Sequence, residues 1–251
     1  MFNFRVIPIL TINENKLVKT FSFEKKIYVG DPLNTVKIFN NKYIDELIIL
    51  DISKTKLKLE PDYEKINQIC SECFSPITYG GGVKSIDQCY KLFEIGVEKI
   101  VFNNVLFNDS SFLKDFVKIF GSQSMILSLN VFKKNEDYLI YNYEKNSITN
   151  VKLNDYFKKV IKFSPGEILF YSVNKDGSNS GLDFEIIEQI DNSSNIPIIL
   201  AGGLNSFDEI LKAKNLKIDA VAASFYFTIH GKFNSILISY LNHQQIKKIR
   251  E

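Results

Sequence analysis

Little in this sequence suits disulfide or metal chemistry. The 251 residues include three cysteines and two histidines. Cys70, Cys73 and Cys89 cannot all pair with one another, which fits a reducing compartment. Cys70-Ser-Glu-Cys73 has a CxxC spacing, but it falls in a helical stretch with no second pair. His230 and His243, in or near the last helix, are the other soft donors, so no metal site is expected. Long apolar runs are missing too; none approaches the roughly 20 residues that cross a bilayer. The opening MFNFRVIPIL carries an arginine in its middle and no small-residue cleavage site, so it does not read as a signal peptide. Nor is there an excess of one charge: 31 Lys and Arg against 29 Asp and Glu leave +2, too balanced for a nucleic-acid or polyanion binder. Low-complexity linkers are absent. The expectation is a cytoplasmic protein with no membrane and no nucleic-acid partner.

What is present is apolar material in a regular arrangement. Hydrophobic residues make up 45% of the chain, with 21 phenylalanines and 12 tyrosines, ample for one large core. Eight β-rich runs recur: FRVIPILT (4–11), DELIILD (45–51), SPITYG (75–80), EKIVFN (98–103), SMILSLN (124–130), GEILFYS (166–172), IPIILA (196–201) and DAVAAS (219–224). Most are almost continuously apolar, as parallel strands buried on both faces require. Helical stretches lie between them. In 85–96, Ile86, Cys89, Tyr90 and Phe93 share a face and Gly96 stops the helix; 183–190 is a second example; in 206–214, Ser206 is the expected N-cap with Glu209 three residues on. Eight strand–helix units in about 250 residues predict a single (β/α)8 TIM barrel spanning residues 1–251.

An internal repeat supports the barrel. GGVKSID (81–87) resembles GGLNSFD (202–208), and Glu46 with Glu167 and Glu98 with Asp219 stand at the same 121-residue spacing. Three segments in one register point to two repeated half-barrels. Residues 131–150 read as a polar hairpin with turns at Lys134-Asn135 and Lys145-Asn146, and 12–30 as a long loop that could act as a lid. Both would sit on the face where barrel active sites lie. Gly80-Gly81-Gly82 and Gly202-Gly203 end the third and seventh strands, where backbone N–H groups can meet an anion. Two glycine clusters related by the repeat suggest a ligand with two phosphate-like ends.

The strings RVIPIL, LVKT, GDP, DELIILDI, YGGGVKS, EKIVFN, FGSQS, GEIL, DGSNSGLD and AGGL, in this order over nearly the whole chain, resemble the HisF family, the cyclase subunit of imidazole glycerol phosphate synthase. The resemblance implies a barrel of the HisA/HisF type that receives ammonia from a HisH-like glutaminase and passes it to a bis-phosphorylated substrate, with no cofactor. It further implies phosphate binding by Gly82, Asn103, Asp176, Gly177, Gly203 and Ser224, and a loop lysine at Lys19. Arg5, Glu46, Lys99 and Glu167 match the family's charged ammonia gate, and Glu98 its glutaminase-facing acid. The family's two catalytic aspartates are replaced, by Thr11 and Asn130, and Tyr171 stands where the family has a small hydroxyl residue. Neither a hydroxyl nor an amide serves as a base in the pH range of the reaction, and each lost acid–base group ordinarily costs about 10²- to 10⁴-fold.

LVKT, YVGDPLNTVKIFN and YGGGVKS look closer to a paralogous branch of the family, linked to acetamidino modification of surface-polysaccharide sugars with a glutaminase and a separate amidotransferase. The leading expectation is an ammonia-transferring subunit of that kind, serving acetamidino modification of a nucleotide sugar. The alternatives are a histidine-biosynthesis cyclase in which Thr11, Asn130 and Lys19 or Asp176 have taken over the chemistry, and a non-catalytic barrel that activates a glutaminase.

Overall fold

The computed structural model describes residues 4–193, 195–231 and 233–251. Eight parallel strands close on themselves in the order β1 (Arg5–Asn13), β4 (Leu47–Asp51), β5 (Ile77–Gly80), β6 (Lys99–Phe102), β7 (Met125–Lys134), β10 (Glu167–Ser172), β11 (Ile198–Ala201) and β12 (Ala220–Ala223). β12 pairs back onto β1, with Arg5 opposite Ala220, and β10 pairs with β7, so no barrel edge is left open. Outside run α1 (Pro32–Asn40), α2 (Ile52–Leu57), α3 (Tyr63–Glu72), α4 (Ile86–Glu94), α5 (Phe112–Phe120), α6 (Leu153–Val160), α7 (Glu185–Glu188), α8 (Phe207–Asn215), α9 (Phe225–Thr228) and α10 (His243–Arg250).

Each strand is buried on both faces, and the two faces feed two apolar layers. Ile7, Ile9, Ile48, Ile126, Leu169 and Ile199 face the barrel interior with Ala201, Ala220 and Ala222. Leu10, Leu47, Ile49, Phe102, Leu127 and Phe170 pack outward against Phe39, Leu92, Phe116, Phe157 and Ile210 of the helices. A fully buried side chain of this size stabilises by about 1.5–3 kcal/mol, so these two layers dominate the fold.

The repeat holds at the level of single hydrogen bonds. Leu47 N–H donates to Pro76 O and Ile168 N–H to Pro197 O, each at 2.9 Å. Lys84 N–H donates to the Gln88 side chain at 2.8 Å, and Asn205 N–H to that of Glu209 at 3.1 Å. All of these pairs are 121 residues apart. The last also corrects the expected cap: Ser206 begins α8 without a side-chain hydrogen bond, and Glu209 reaches back one residue further, to Asn205. On α4 the buried residues are Gln88, Cys89 and Leu92, while Tyr90 is exposed, because the helix turns a narrower stripe to the barrel than the expected face.

The segment expected as a long loop after the first strand is an antiparallel ribbon. β2 (Lys16–Phe21) pairs with the end of β1, and β3 (Lys25–Gly30) pairs with β2. The expected hairpin at 131–150 is present as β8 (Asp137–Asn142) and β9 (Ser147–Lys152), continuing β7 beyond the barrel rim. His230 lies in a short ribbon, β13 (Ile229–His230) with β14 (Ser235–Ile236), rather than at the last helix, and its Nε2 is 2.8 Å from Ser239 Oγ. Among the described residues no helix is long and apolar enough to cross a membrane.

Candidate functional site

Four charged side chains, brought to the N-terminal end by the starts of β1, β6 and β10 and the residue before β4, form a closed ring. Arg5 donates to Glu46 at 2.7 Å and to Glu167; Lys99 Nζ donates to Glu46 at 3.0 Å and to Glu167 at 2.7 Å. Thr78, fully buried, donates its hydroxyl to Glu46 Oε1 at 2.7 Å and fixes that carboxylate from inside. Both carboxylates are buried, whereas Arg5 and Lys99 retain partial access to solvent. Burial alone would raise the Glu167 pKa, but hydrogen bonds and charge from Arg5, then Lys99, outweigh it and hold this carboxyl below its usual value. Arg5 is raised in turn, Glu167 and Glu46 overcoming its burial. Glu98, just outside the ring, is exposed.

At the opposite end the strand C-termini surround a cavity of about 520 Å³. Thr11 and Asn130 both line it, with Thr20, Asp51, Gly80, Gly81, Gly82, Asn103, Asn104, Ser128, Tyr143 and Tyr171. The Asn103 amide is committed, donating to Ser128 O at 2.6 Å and accepting from Asn130 Nδ2 at 3.4 Å. Phe23, Tyr141, Tyr143 and Tyr171 form an aromatic wall, Phe23 meeting the three tyrosines edge-on at 5.1–6.0 Å. The Lys58–Glu144 ion pair, 3.5 Å, and Asn108 Nδ2 on Glu144, 3.0 Å, tie the β8–β9 hairpin over this side.

Lys19 is not part of the open mouth. It is buried and paired with Asp176, which also accepts from Thr20 Oγ1 at 2.6 Å, Phe23 N–H at 3.3 Å and Tyr171 OH at 3.1 Å. The sequence suggested a lysine on a flexible lid; pairing of β2 with β1 and β3 instead drives Lys19 inward onto a waiting carboxylate. Asp176, expected beside a phosphate, is saturated by these donors and carries the wrong charge for that role. Gly177, Gly203 and Ser224 lie around it with Gly202, Phe225 and Tyr226, and the space among them is about 10 Å³.

Three cavity groups escaped the sequence reading. Asp51 ends β4 and caps α2, its Oδ1 accepting from Ser53 N–H at 3.1 Å, Ser53 Oγ at 2.6 Å and Lys54 N–H at 3.3 Å. Burial raises its pKa despite those hydrogen bonds. An aspartate closing a barrel strand was a usable signal, since such positions face the mouth. Asn104 and Tyr143 are the others: both Asn104 amide atoms and the Tyr143 hydroxyl are buried with no hydrogen-bond partner. No cluster of three or more His, Cys, Asp or Glu able to hold a metal occurs among the described residues, and Cys70, Cys73 and Cys89 are unpaired thiols.

Closed barrel, charged ring at one end and glycine-flanked cavity at the other define an α/β barrel of the class whose sites lie at the strand C-termini. A family profile described as "Histidine biosynthesis protein" matches residues 5–232, and the chain belongs to that family as a divergent HisF-like paralogue. It is 39% identical over 244 residues, 95% of each chain, to a protein of Leptospira borgpetersenii provisionally named imidazole glycerol phosphate synthase subunit HisF. A Pseudomonas aeruginosa protein provisionally named subunit hisF2 is 37% identical over 240 residues, 94% of this chain and 95% of its own. The imidazole glycerol phosphate synthase subunit HisF of Exiguobacterium is 30% identical over 220 residues, 88% and 86% of the two chains.

Proposed function

We propose that this chain is an ammonia-transferring HisF-like subunit. A HisH-like glutaminase docks at the end bearing Glu98, ammonia passes the Arg5–Glu46–Lys99–Glu167 gate and crosses the barrel, and it leaves at the C-terminal mouth. The delivered nitrogen serves acetamidino modification of a nucleotide sugar for a surface polysaccharide, carried out with a separate amidotransferase in the cytoplasm. One observation carries the reading: the four-charge ring is closed and fully paired, while the mouth has Thr11 and Asn130 in place of the family's acid–base pair. A ring of two buried acids neutralised by two bases is costly to keep unless its geometry is used. Behind it the interior is lined by apolar side chains, among them Ile7, Ile48, Leu169 and the alanines at 201, 220 and 222, a lining that suits a small neutral molecule better than an ion.

Asp51 favours a second reading, a cyclase with a relocated base. Its carboxylate faces the cavity, and burial moves its pKa toward the range a general base needs. Lys19 and Asp176 do not support that reading, because each neutralises the other in a closed cluster.

An ammonia-dependent cyclase assay with the bis-phosphorylated ribotide of histidine biosynthesis separates the two. The expected result is no turnover by the unmodified chain. Turnover at or above about 1 s⁻¹, an ordinary enzyme rate, that disappears in Asp51→Asn would establish the cyclase and end the ammonia-transfer reading.

A further inference from the structure

The two half-barrels end differently. A Cβ on Gly82 would strike Leu59 O and one on Gly203 would strike Gly181 O; Lys54 and Lys175 flank the two turns at equivalent positions. Yet one turn opens on about 520 Å³ and its twin on about 10 Å³. The β2–β3 ribbon fills the second: Ser22 N–H is held by Asp176 O at 3.0 Å, and Lys19, Thr20, Phe23 and Tyr171 converge on the Asp176 carboxylate. The position equivalent to Asp176 in the open half is Thr55, 121 residues earlier, and it lines the open cavity. One end therefore presents a hydroxyl with Lys54 and Lys84 nearby, the other a buried carboxylate already saturated with donors.

Two residues that line the open cavity carry buried polar atoms with no partner. Tyr143 is 8% exposed, and its hydroxyl has no partner; both amide atoms of Asn104 are likewise buried without one. Each such group carries a desolvation penalty until something meets it. A donor, an acceptor and a hydroxyl together match a polyhydroxylated ligand. Asp51 Oδ1 is occupied by Ser53 and Lys54, which leaves its Oδ2 for a ligand hydroxyl.

Granting that this mouth is the protein's working site, we infer that it takes a single-ended ligand, a sugar phosphate monoester. The phosphate sits against Gly81, Gly82, Lys54 and Lys84; the hydroxyls meet Asn104, Tyr143 and Asp51; and the Lys19–Asp176–Tyr171 plug shuts out a second phosphate. Tyr171 and Asp176 are thus specificity-determining residues, excluding bis-phosphorylated molecules that span both halves.

Amide-resolved NMR of the ¹⁵N-labelled chain titrated with inorganic phosphate, then ribose 5-phosphate, tests this. Expected are shifts at Gly81, Gly82 and Asn104, none at Gly177, Gly202 or Gly203, and tighter binding of ribose 5-phosphate than of phosphate. Asn104→Ala should weaken ribose 5-phosphate about tenfold, the worth of one to two hydrogen bonds, without lowering the thermal midpoint, because it removes an unsatisfied buried amide. Shifts at both glycine clusters, shifts at Gly202 and Gly203 alone, or none at millimolar phosphate would each overturn it. Glutamine-dependent ammonia transfer is measured on the same protein with a HisH-like glutaminase. Binding at both clusters with transfer intact removes the single-ended ligand and spares the ammonia reading; single-ended binding with no transfer does the reverse.

Discussion

Lys99, like Arg5, reaches Glu46 and Glu167 at once, so each base closes one side of the ring. Lys99→Met leaves two buried carboxylates sharing Arg5 alone, and urea unfolding should show a loss of about 2–4 kcal/mol, as for other broken buried pairs. Adding Glu46→Gln should return part of it. The ring also sets an acid limit. Glu167 has a folded-state pKa below its ordinary 4.5, so the unfolded chain binds the proton more readily; its contribution is present above that value and fades as pH falls through the folded pKa. Glu167→Gln should flatten the acid limb of a stability–pH profile. Asp51 has the opposite sign: its folded pKa is raised above 3.8, its contribution is lost as pH rises, and Asp51→Asn, still able to cap α2, should not destabilise at neutral pH. At the plug, Tyr171→Phe removes one donor to a buried carboxylate and should cost about 1.5–3 kcal/mol by urea unfolding.

Two ribbons above the barrel shape the mouth, and only one was legible as a hairpin. At 131–150, Asn135 and Asn146 adopt positive φ, 55° and 51°, and asparagine is a residue from which such turns are anticipated. At 12–30 one turn uses Glu14-Asn15 and the other Ser22-Phe23, all at positive φ. A phenylalanine there carries no turn signal; it is held because its ring seats against Tyr141, Tyr143 and Tyr171 and its N–H meets Asp176. A tertiary contact overrode local preference, and so both the ribbon and the burial of Lys19 were hidden from a reading of neighbours in sequence. Turn chemistry at the glycines was legible, and it predicts a cost. Gly82 has φ +71° and backs onto Leu59 O, so Gly82→Ala should destabilise by about 1–3 kcal/mol and narrow the open end of the cavity, as unfolding and phosphate titration would report together.

For the whole molecule, eight apolar runs were enough to foretell the barrel, because strands buried on both faces leave an unbroken hydrophobic signature. The duplication was legible in the glycine motifs and extends to equivalent backbone hydrogen bonds. What symmetry in the sequence could not reveal is the difference between equivalent turns, one open and one plugged: the β2–β3 ribbon seats Lys19, Thr20 and Phe23 on Asp176, while the β8–β9 hairpin leaves the cavity at Gly82 open. In the proposed function one end admits ammonia and the other holds a small polar ligand, with the apolar barrel interior between them. That function requires the ring to admit ammonia from a partner. The most direct measurement is glutamine hydrolysis and ammonia transfer by a HisH-like glutaminase bound to the unmodified chain and to Lys99→Glu. The account predicts that the charge reversal cuts coupling at least about tenfold, 1.4 kcal/mol, in a barrel whose far-ultraviolet spectrum is unchanged. Coupling equal to that of the unmodified chain in the folded variant would contradict it.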